Sequence, residues 1–373
     1  MLIGIDANEA NVKNRVGIGQ FAFNVIKGLE EIDKKNSYIL YLKEPPLSDL
    51  PKEREGWRYR VFGPGKAWTQ IALPFRLFTQ KEKLDVFYSP SHYSPRFSPF
   101  PTVISIMDLG HHHFPEQFAK KDLYQLTRWE KYSVRNSRRI VTISEFSKSE
   151  IIKIYHYPEN RITVAYPGYD QFKIESEKFK VDEIKKKYGV KDKYLLYLGT
   201  LKPNKNIEGI VAAFGLLTKT SPSAPITLVI AGKKGWLYET IFEKVKKLGL
   251  EDKVIFTGFL DEKEKPYLIA GAEAFVMPSF YEGFGIPILE AMSLGVPVIT
   301  SKVASMPEVG GNAAIYCDPQ NPEEIAEAMK KVLGLKKSQR DEIIALGKKQ
   351  AEKFSWENCA RKVLETIEEL DKR

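Results

Sequence analysis

Cysteine is almost absent from this chain of 373 residues, which carries only Cys317 and Cys359. Far apart and without a C-x-x-C spacing, they exclude a disulfide scaffold and a zinc ribbon, and a reducing compartment fits best. No stretch reaches the roughly 18 apolar residues that a membrane span needs. The opening MLIGIDANEA has no basic lead before an apolar run, so neither a span nor a signal peptide is expected. Residues 1–35 lack G-x-G-x-x-G, and the first glycine loop lies well beyond the first strand, which argues against a dehydrogenase. There is no arginine-rich tail or recognisable nucleic-acid module, so nucleic acid is not an expected partner.

The composition, 43% apolar, 12% aromatic and 28% charged, is that of an ordinary globular chain able to bury a large core. Its length exceeds what one compact core usually holds and favours two domains. The net charge of +9 is unevenly spread: residues 1–170 hold 25 Lys and Arg against 19 Asp and Glu, the remainder 32 against 29. All five histidines, His92, His111, His112, His113 and His156, also fall in the first part. The excess hints at an anionic partner or simply at solubility.

Short apolar runs alternate with helical periodicities. Strands are expected at 2–6, 38–41, 59–62, 86–88, 103–106 and 139–143, with helices after the Gly17-Ile18-Gly19 turn and around 68–80, 120–137 and 145–156. From Pro167 the chain turns polar and reads as a linker up to about 190. A second set has strands at 194–198, 227–231, 254–257, 274–277 and 298–300, with helices near 206–218, 237–248, 262–270, 286–294 and 322–333. Strands separated by helices imply parallel sheets covered on both faces, with ligands at the carboxyl ends of the strands. The expected class is α/β, two doubly wound Rossmann-like domains: an N-terminal one over 1–170, a C-terminal one over 171–355, and a helix over 356–373 that packs back on the first.

The most informative stretch is SFYEGFGIPILEAMSLGVPVITS, residues 279–301. A strand ends before it, a loop carries Glu282, Gly283, Phe284 and Gly285, and a helix follows. Glycines there let main-chain N–H groups face outward at a helix N-terminus, where partial positive charge suits hydroxyls or phosphates. Glu282 in the loop and Glu290 in the helix can line one ligand, and a carboxylate suits vicinal hydroxyls. Taken alone, the pair reads more readily as a cap and a solvated helix residue.

The surrounding pattern EGFGIPILEAMSLGVPVI closely resembles the E-x7-E region of the family 4 (group 1) glycosyltransferases, mannosyltransferase-like members among them. LGTLKPNKNIEGIVAAF (198–214), LVIAG, VIFTGFL and SKVASMPEVGGNAAIYCDP resemble the same family's donor half, and GIGQFAFNVIKGL and TISEFSKSEI its acceptor half. The resemblance implies a GT-B fold, with the reaction between two Rossmann-like domains. It also implies transfer of a sugar, with retention, from a nucleotide diphosphate sugar, GDP-mannose or a UDP-sugar, to a glycan or lipid-linked acceptor in polysaccharide assembly. Glu282 and Lys205 would be catalytic, Glu282 on sugar hydroxyls and Lys205 on the diphosphate. Glu290 would take the ribose, and Gly283, Phe284 and Gly285 would hold the donor through their main chain. The chain has no D-x-D triplet, the metal handle of the other main glycosyltransferase fold, so no metal and no cofactor beyond the co-substrate is expected.

Two positions depart from the family pattern. Thr200 stands where many members have Arg, leaving Lys202 as the second candidate cation, and Met107 precedes Asp108 where His is common. His111, with Asp108, then lines the acceptor side or caps the next helix. Three consecutive histidines point in different directions, poor geometry for one ion. Gly17 and Gly19 either bring main-chain N–H groups to the diphosphate or simply form a turn. Arg128, Lys131, Arg135 and Arg138 are spaced for one face of a helix over 120–139, which would be solvated or would rest on an anionic membrane surface. A cytoplasmic protein, either free or peripheral at the inner face of the membrane, is the expected location. The other readings are a nucleotide-sugar epimerase of the same fold and a non-catalytic donor-binding subunit.

Overall fold

The computed structural model describes residues 1–170, 178–220 and 225–370. The chain forms two compact units, one of Met1–Gly168 with Phe354–Arg373, the other of Tyr169–Lys353.

The first unit is built on seven parallel strands: β1 (Leu2–Asp6), β2 (Ser37–Leu42), β3 (Trp57–Val61), β4 (Val86–Ser89), β5 (Thr102–Ile106), β6 (Arg139–Thr142) and β7 (Ile162–Val164), in the order β3-β2-β1-β4-β5-β6-β7. Every residue of β4 and β5 is buried, the signature of strands covered on both faces. Edge strand β3 is half exposed, and Arg58 and Arg60 from it both pair with Glu82. The helix Ile18–Ile32 lays Phe21, Val25, Ile26 and Leu29 into the core. Its Gly28 faces the C-terminal helix Trp356–Glu368, where a Cβ would stand 2.5 Å from Ala360 Cβ. That helix is capped by Ser355, whose hydroxyl accepts from Asn358 N–H at 3.1 Å, and it buries Cys359, Val363 and Ile367. Helix propensity alone would make Gly28→Ala better by about 1 kcal/mol. The overpacking it causes costs about 1–3 kcal/mol, so a net loss is expected, read as a lower urea midpoint at unchanged m-value.

The second unit carries β8 (Lys193–Leu198), β9 (Ile226–Ala231), β10 (Val254–Gly258), β11 (Ala274–Met277), β12 (Val298–Ser301) and β13 (Ala314–Cys317), all parallel in the order β10-β9-β8-β11-β12-β13. Its core joins Tyr197, Phe214, Leu228, Ile230, Val276 and Met329 across the sheet and the helices Ile207–Thr220 and Pro322–Leu333. Both cysteines are free and buried, one in each unit. Burial pushes the Cys317 thiol up to about 12 and Cys359 higher still, so neither is a thiolate at neutral pH.

The structure differs from the sequence expectation in several elements. β7 and β13 lie outside the expected strands: of three and four residues, they are mostly half-buried and lack the fully buried apolar run of the inner strands. The stretch read as a linker contains the helix Lys178–Lys187, which packs on the helix Lys265–Ala270, while residues 171–177 lie outside the described residues. Val181 and Ile184 of that helix are half-buried, and Lys187 and Tyr188 are both bonded to Glu264. The long helix Lys337–Ala351 was also missed. The basic stretch forms a helix only over Lys120–Asn136, so Arg138 falls beyond its end and cannot share a helix face with Arg128, Lys131 and Arg135. Among the described residues no helix is long and apolar enough to cross a membrane.

Candidate functional site

In the second unit the strand order reverses between β8 and β11, and the carboxyl ends of such a pair are where open parallel sheets bind ligands. β8 runs out through Gly199 and Thr200 into a tight turn, Pro203–Lys205; β11 runs out into the loop that ends at Gly285. There Lys205 Nζ and Glu282 Oε1 form an ion pair whose side chains are 18% and 11% exposed. Ser279 Oγ donates to the same carboxylate oxygen at 3.3 Å.

Buried amides and a hydroxyl hold the two loops in register. Asn206, in the left-handed region at φ 57°, donates from Nδ2 to Pro278 O at 3.0 Å and Pro319 O at 2.6 Å. Phe280 N–H donates to Asn204 O at 3.0 Å, and Asn204 Nδ2 returns a bond to Tyr281 O at 3.3 Å. The Ser305 hydroxyl lies 2.8 Å from Glu282 O and 3.0 Å from Phe284 O, sharing one proton between two carbonyls. Gly285 enters the helix Ile286–Ser293 at φ 111°, where a side chain would be strained and a Cβ would stand 2.9 Å from Met306 Cε. Gly283, Phe284 and Gly285 are all buried.

Glu290, one turn into that helix, is 4% exposed at its side chain and accepts from Lys265 Nζ at 2.8 Å. Lys265 also reaches Glu262 at 3.0 Å and Asp170 at 3.9 Å. Burial works against the Lys265 ammonium, but the carboxylates of Glu290 and Glu262 outweigh it and hold its pKa above the usual lysine value. Lys265 therefore stays charged. Thr200 is half-buried, its carbonyl accepting from the Tyr197 hydroxyl at 3.4 Å. Lys202, the other candidate cation, places its ammonium 4.5 Å from the centre of the Trp236 ring. Sequence reasoning found Lys205, Glu282 and Glu290 but missed Lys265, Asn206 and Ser305.

In the first unit Gly17 stands at φ 52° as the cap of the helix Ile18–Ile32, with open space around it, whereas Gly19 is buried and its N–H donates to Val16 O at 3.1 Å. Gly19 therefore serves the turn. Asp108, half-buried, accepts from Gly110 N–H at 2.9 Å and so starts the short helix Gly110–His113. His111 is 3% exposed. Contrary to the expectation that neighbouring histidines point apart, the His111 and His112 rings lie 4.4 Å apart, and only His113 turns away, onto Glu150. Both rings face Glu130, fully buried in the helix Lys120–Asn136. Glu130 accepts from Tyr155 OH at 2.5 Å and pairs with His92 Nδ1 at 2.6 Å. Burial works against a charged His92, but the Glu130 carboxylate outweighs it and raises its pKa. Sequence reading missed His92, Glu130 and Tyr155 as a group.

Comparison with known proteins gives consistent matches. Residues 180–350 match the family model described as glycosyl transferases group 1, and residues 17–171 that of glycosyltransferase family 4. The O-antigen chain mannosyltransferase B of Escherichia coli is 34% identical over 75% of this chain and 73% of its own. The mannosylfructose-phosphate synthase of Agrobacterium fabrum is 26% identical over 81% of this chain and 72% of its own. Among solved structures, Anabaena HepE in complex with UDP and glucose has a TM-score of 0.75 at 17% identity, over 98% of this chain and 99% of that one, a likeness of fold.

Proposed function

The chain belongs to the group 1, family 4 glycosyltransferases and has their GT-B fold, and from that premise we propose that it moves a hexosyl unit, mannose first, from a nucleotide diphosphate sugar to a glycan or lipid-linked acceptor with retention of anomeric configuration. The observation that carries this reading is the Lys205–Glu282 pair at the carboxyl ends of β8 and β11, with Glu290 one turn into the helix that follows.

Without donor, cation and carboxylate neutralise each other. With donor, Lys205 turns to the diphosphate, Glu282 accepts from sugar hydroxyls, Glu290 accepts from the ribose, and the main chain of Gly283 to Gly285 seats the sugar at a helix N-terminus. The bond from the anomeric carbon to the diphosphate oxygen breaks as the acceptor oxygen bonds to the same face. The acceptor proton passes to the departing phosphate oxygen, and Lys205 stabilises the charge that develops there. At about 4 Å such an ammonium is worth roughly 4 kcal/mol at an effective dielectric of about 20, before desolvation. The donor chemistry therefore needs no metal. Exposed Arg128, Lys131 and Arg135 support contact with an anionic membrane surface, at the inner face, where a lipid-linked acceptor would lie.

Thermal unfolding with UDP-, GDP- and ADP-sugars tests the donor. GDP-mannose at about 100 times its Kd is expected to add roughly 2.7 kcal/mol and to yield a mannosylated acceptor. If no nucleotide sugar raises the melting temperature the reading falls, and conversion of the donor without any acceptor would make the protein an epimerase.

A further inference from the structure

We propose that His111, His112 and Glu130 of the first unit form a binding site for one divalent transition-metal ion of the zinc class, separate from the donor site.

One ring nitrogen from each histidine and one oxygen of Glu130 lie within 4.8 Å of one another. His111 Nε2 is buried without a hydrogen-bond partner, its nearest polar neighbour being Glu130 Oε1 at 3.5 Å. A buried ring nitrogen left in that state is destabilising, since it has lost water and gained no partner. The distance is too long for a good hydrogen bond. It is the separation two ligands take on a tetrahedral ion, since metal distances of about 2.0–2.2 Å set neighbouring ligands about 3.3–3.5 Å apart. His112, exposed and with its Nε2 bonded to Tyr155 OH at 2.9 Å, completes the set with one ring nitrogen.

The surroundings also suit a metal. A ligating carboxylate needs partners of its own to fix its direction, and Glu130 has His92 on one oxygen and Tyr155 on the other. Asp108 fixes the start of the turn that carries both histidines. Two imidazoles and a carboxylate select zinc and its neighbours over magnesium or calcium, which prefer oxygen throughout. Three protein ligands leave a fourth position open for water or a ligand hydroxyl.

Cobalt(II) titration of the untagged, metal-stripped full-length protein tests the site through its visible absorption. Wild type is expected to take up one equivalent with a tetrahedral spectrum, displaced by zinc(II). His111→Ala and His112→Ala are each expected to weaken binding at least about 100-fold, since even loss of an outer partner costs 10–100-fold. His112 is exposed, so His112→Ala should fold as wild type, checked by circular dichroism. His113→Ala, which removes the histidine bonded to Glu150, should bind as wild type. The proposal is overturned if wild type shows no saturable uptake, if His112→Ala binds undiminished, or if His113→Ala loses as much affinity as His112→Ala.

Discussion

Lys205→Ala is expected to lower kcat for sugar transfer by two to three orders of magnitude, about 2.7–4 kcal/mol of transition-state stabilisation, with a smaller change in KM. The asymmetry follows from where the charge appears. In the proposed reaction the diphosphate charge is present from the start and partly met by helix N–H groups; as the sugar leaves, further charge builds on the bridging oxygen, and Lys205 is the cation proposed to meet it. Removing Lys205 also leaves Glu282, 11% exposed at its side chain, without its cation and facing an anionic ligand. Adding Glu282→Gln to Lys205→Ala should therefore recover donor affinity while leaving kcat low. Lys205→Arg keeps the charge but not the compact ammonium and should fall between. Steady-state kinetics with the true donor decide the matter, and a kcat for Lys205→Ala within a few-fold of wild type would remove Lys205 from the reaction.

Lys265→Met is expected to cost about 3–5 kcal/mol of stability, the penalty for leaving one half of a buried ion pair alone. Glu290 is 4% exposed and its partner ammonium sits 2.8 Å away. Replacing both, as Lys265→Met with Glu290→Met, should return most of the loss, because two apolar side chains of similar volume carry no desolvation penalty. The pH dependence has a definite sign. The folded-state pKa of Lys265 is raised, so its contribution is fully present below the unfolded value of about 10.4 and is lost only as pH rises through the folded one. Burial already raises the Glu290 carboxyl, and losing the cation raises it further, so the gap between wild type and Lys265→Met should widen as pH rises from about 7 to about 9. Urea unfolding of the three proteins measures all of this; a double variant no more stable than Lys265→Met would mean that Glu290 does not need its cation.

The legible parts of the molecule were those whose pattern is local. β8 and β9 announce themselves as apolar runs, YLLYL and TLVIA, because a strand buried on both faces needs no alternation. The glutamates and Lys205 were legible by resemblance, their loops being long and unusual in composition. Lys265 was not: it sits in DEKEKP beside Lys263, and nothing in that stretch says which lysine folds inward. Glu130 was hidden for a similar reason, a single buried carboxylate in a helix whose visible character is basic and whose partners come from three other segments. The Lys178–Lys187 helix escaped because a few apolar residues among lysines look like a solvated connector until the surface they rest on is known.

The close approach of Gly28 to Ala360 places the C-terminal helix in the first unit and makes the second unit an insertion within it. That reverses the usual order of events during synthesis, in which the N-terminal domain folds first. A ribosome that has just added Lys353 has synthesised every residue of the inserted unit but only part of the unit that began the chain. The inserted unit can fold once its last residues clear the ribosome, while the helix Ile18–Ile32 waits for the helix Trp356–Glu368 to emerge. Chains cut short before Trp356 would leave the Gly28 face of the helix Ile18–Ile32 uncovered.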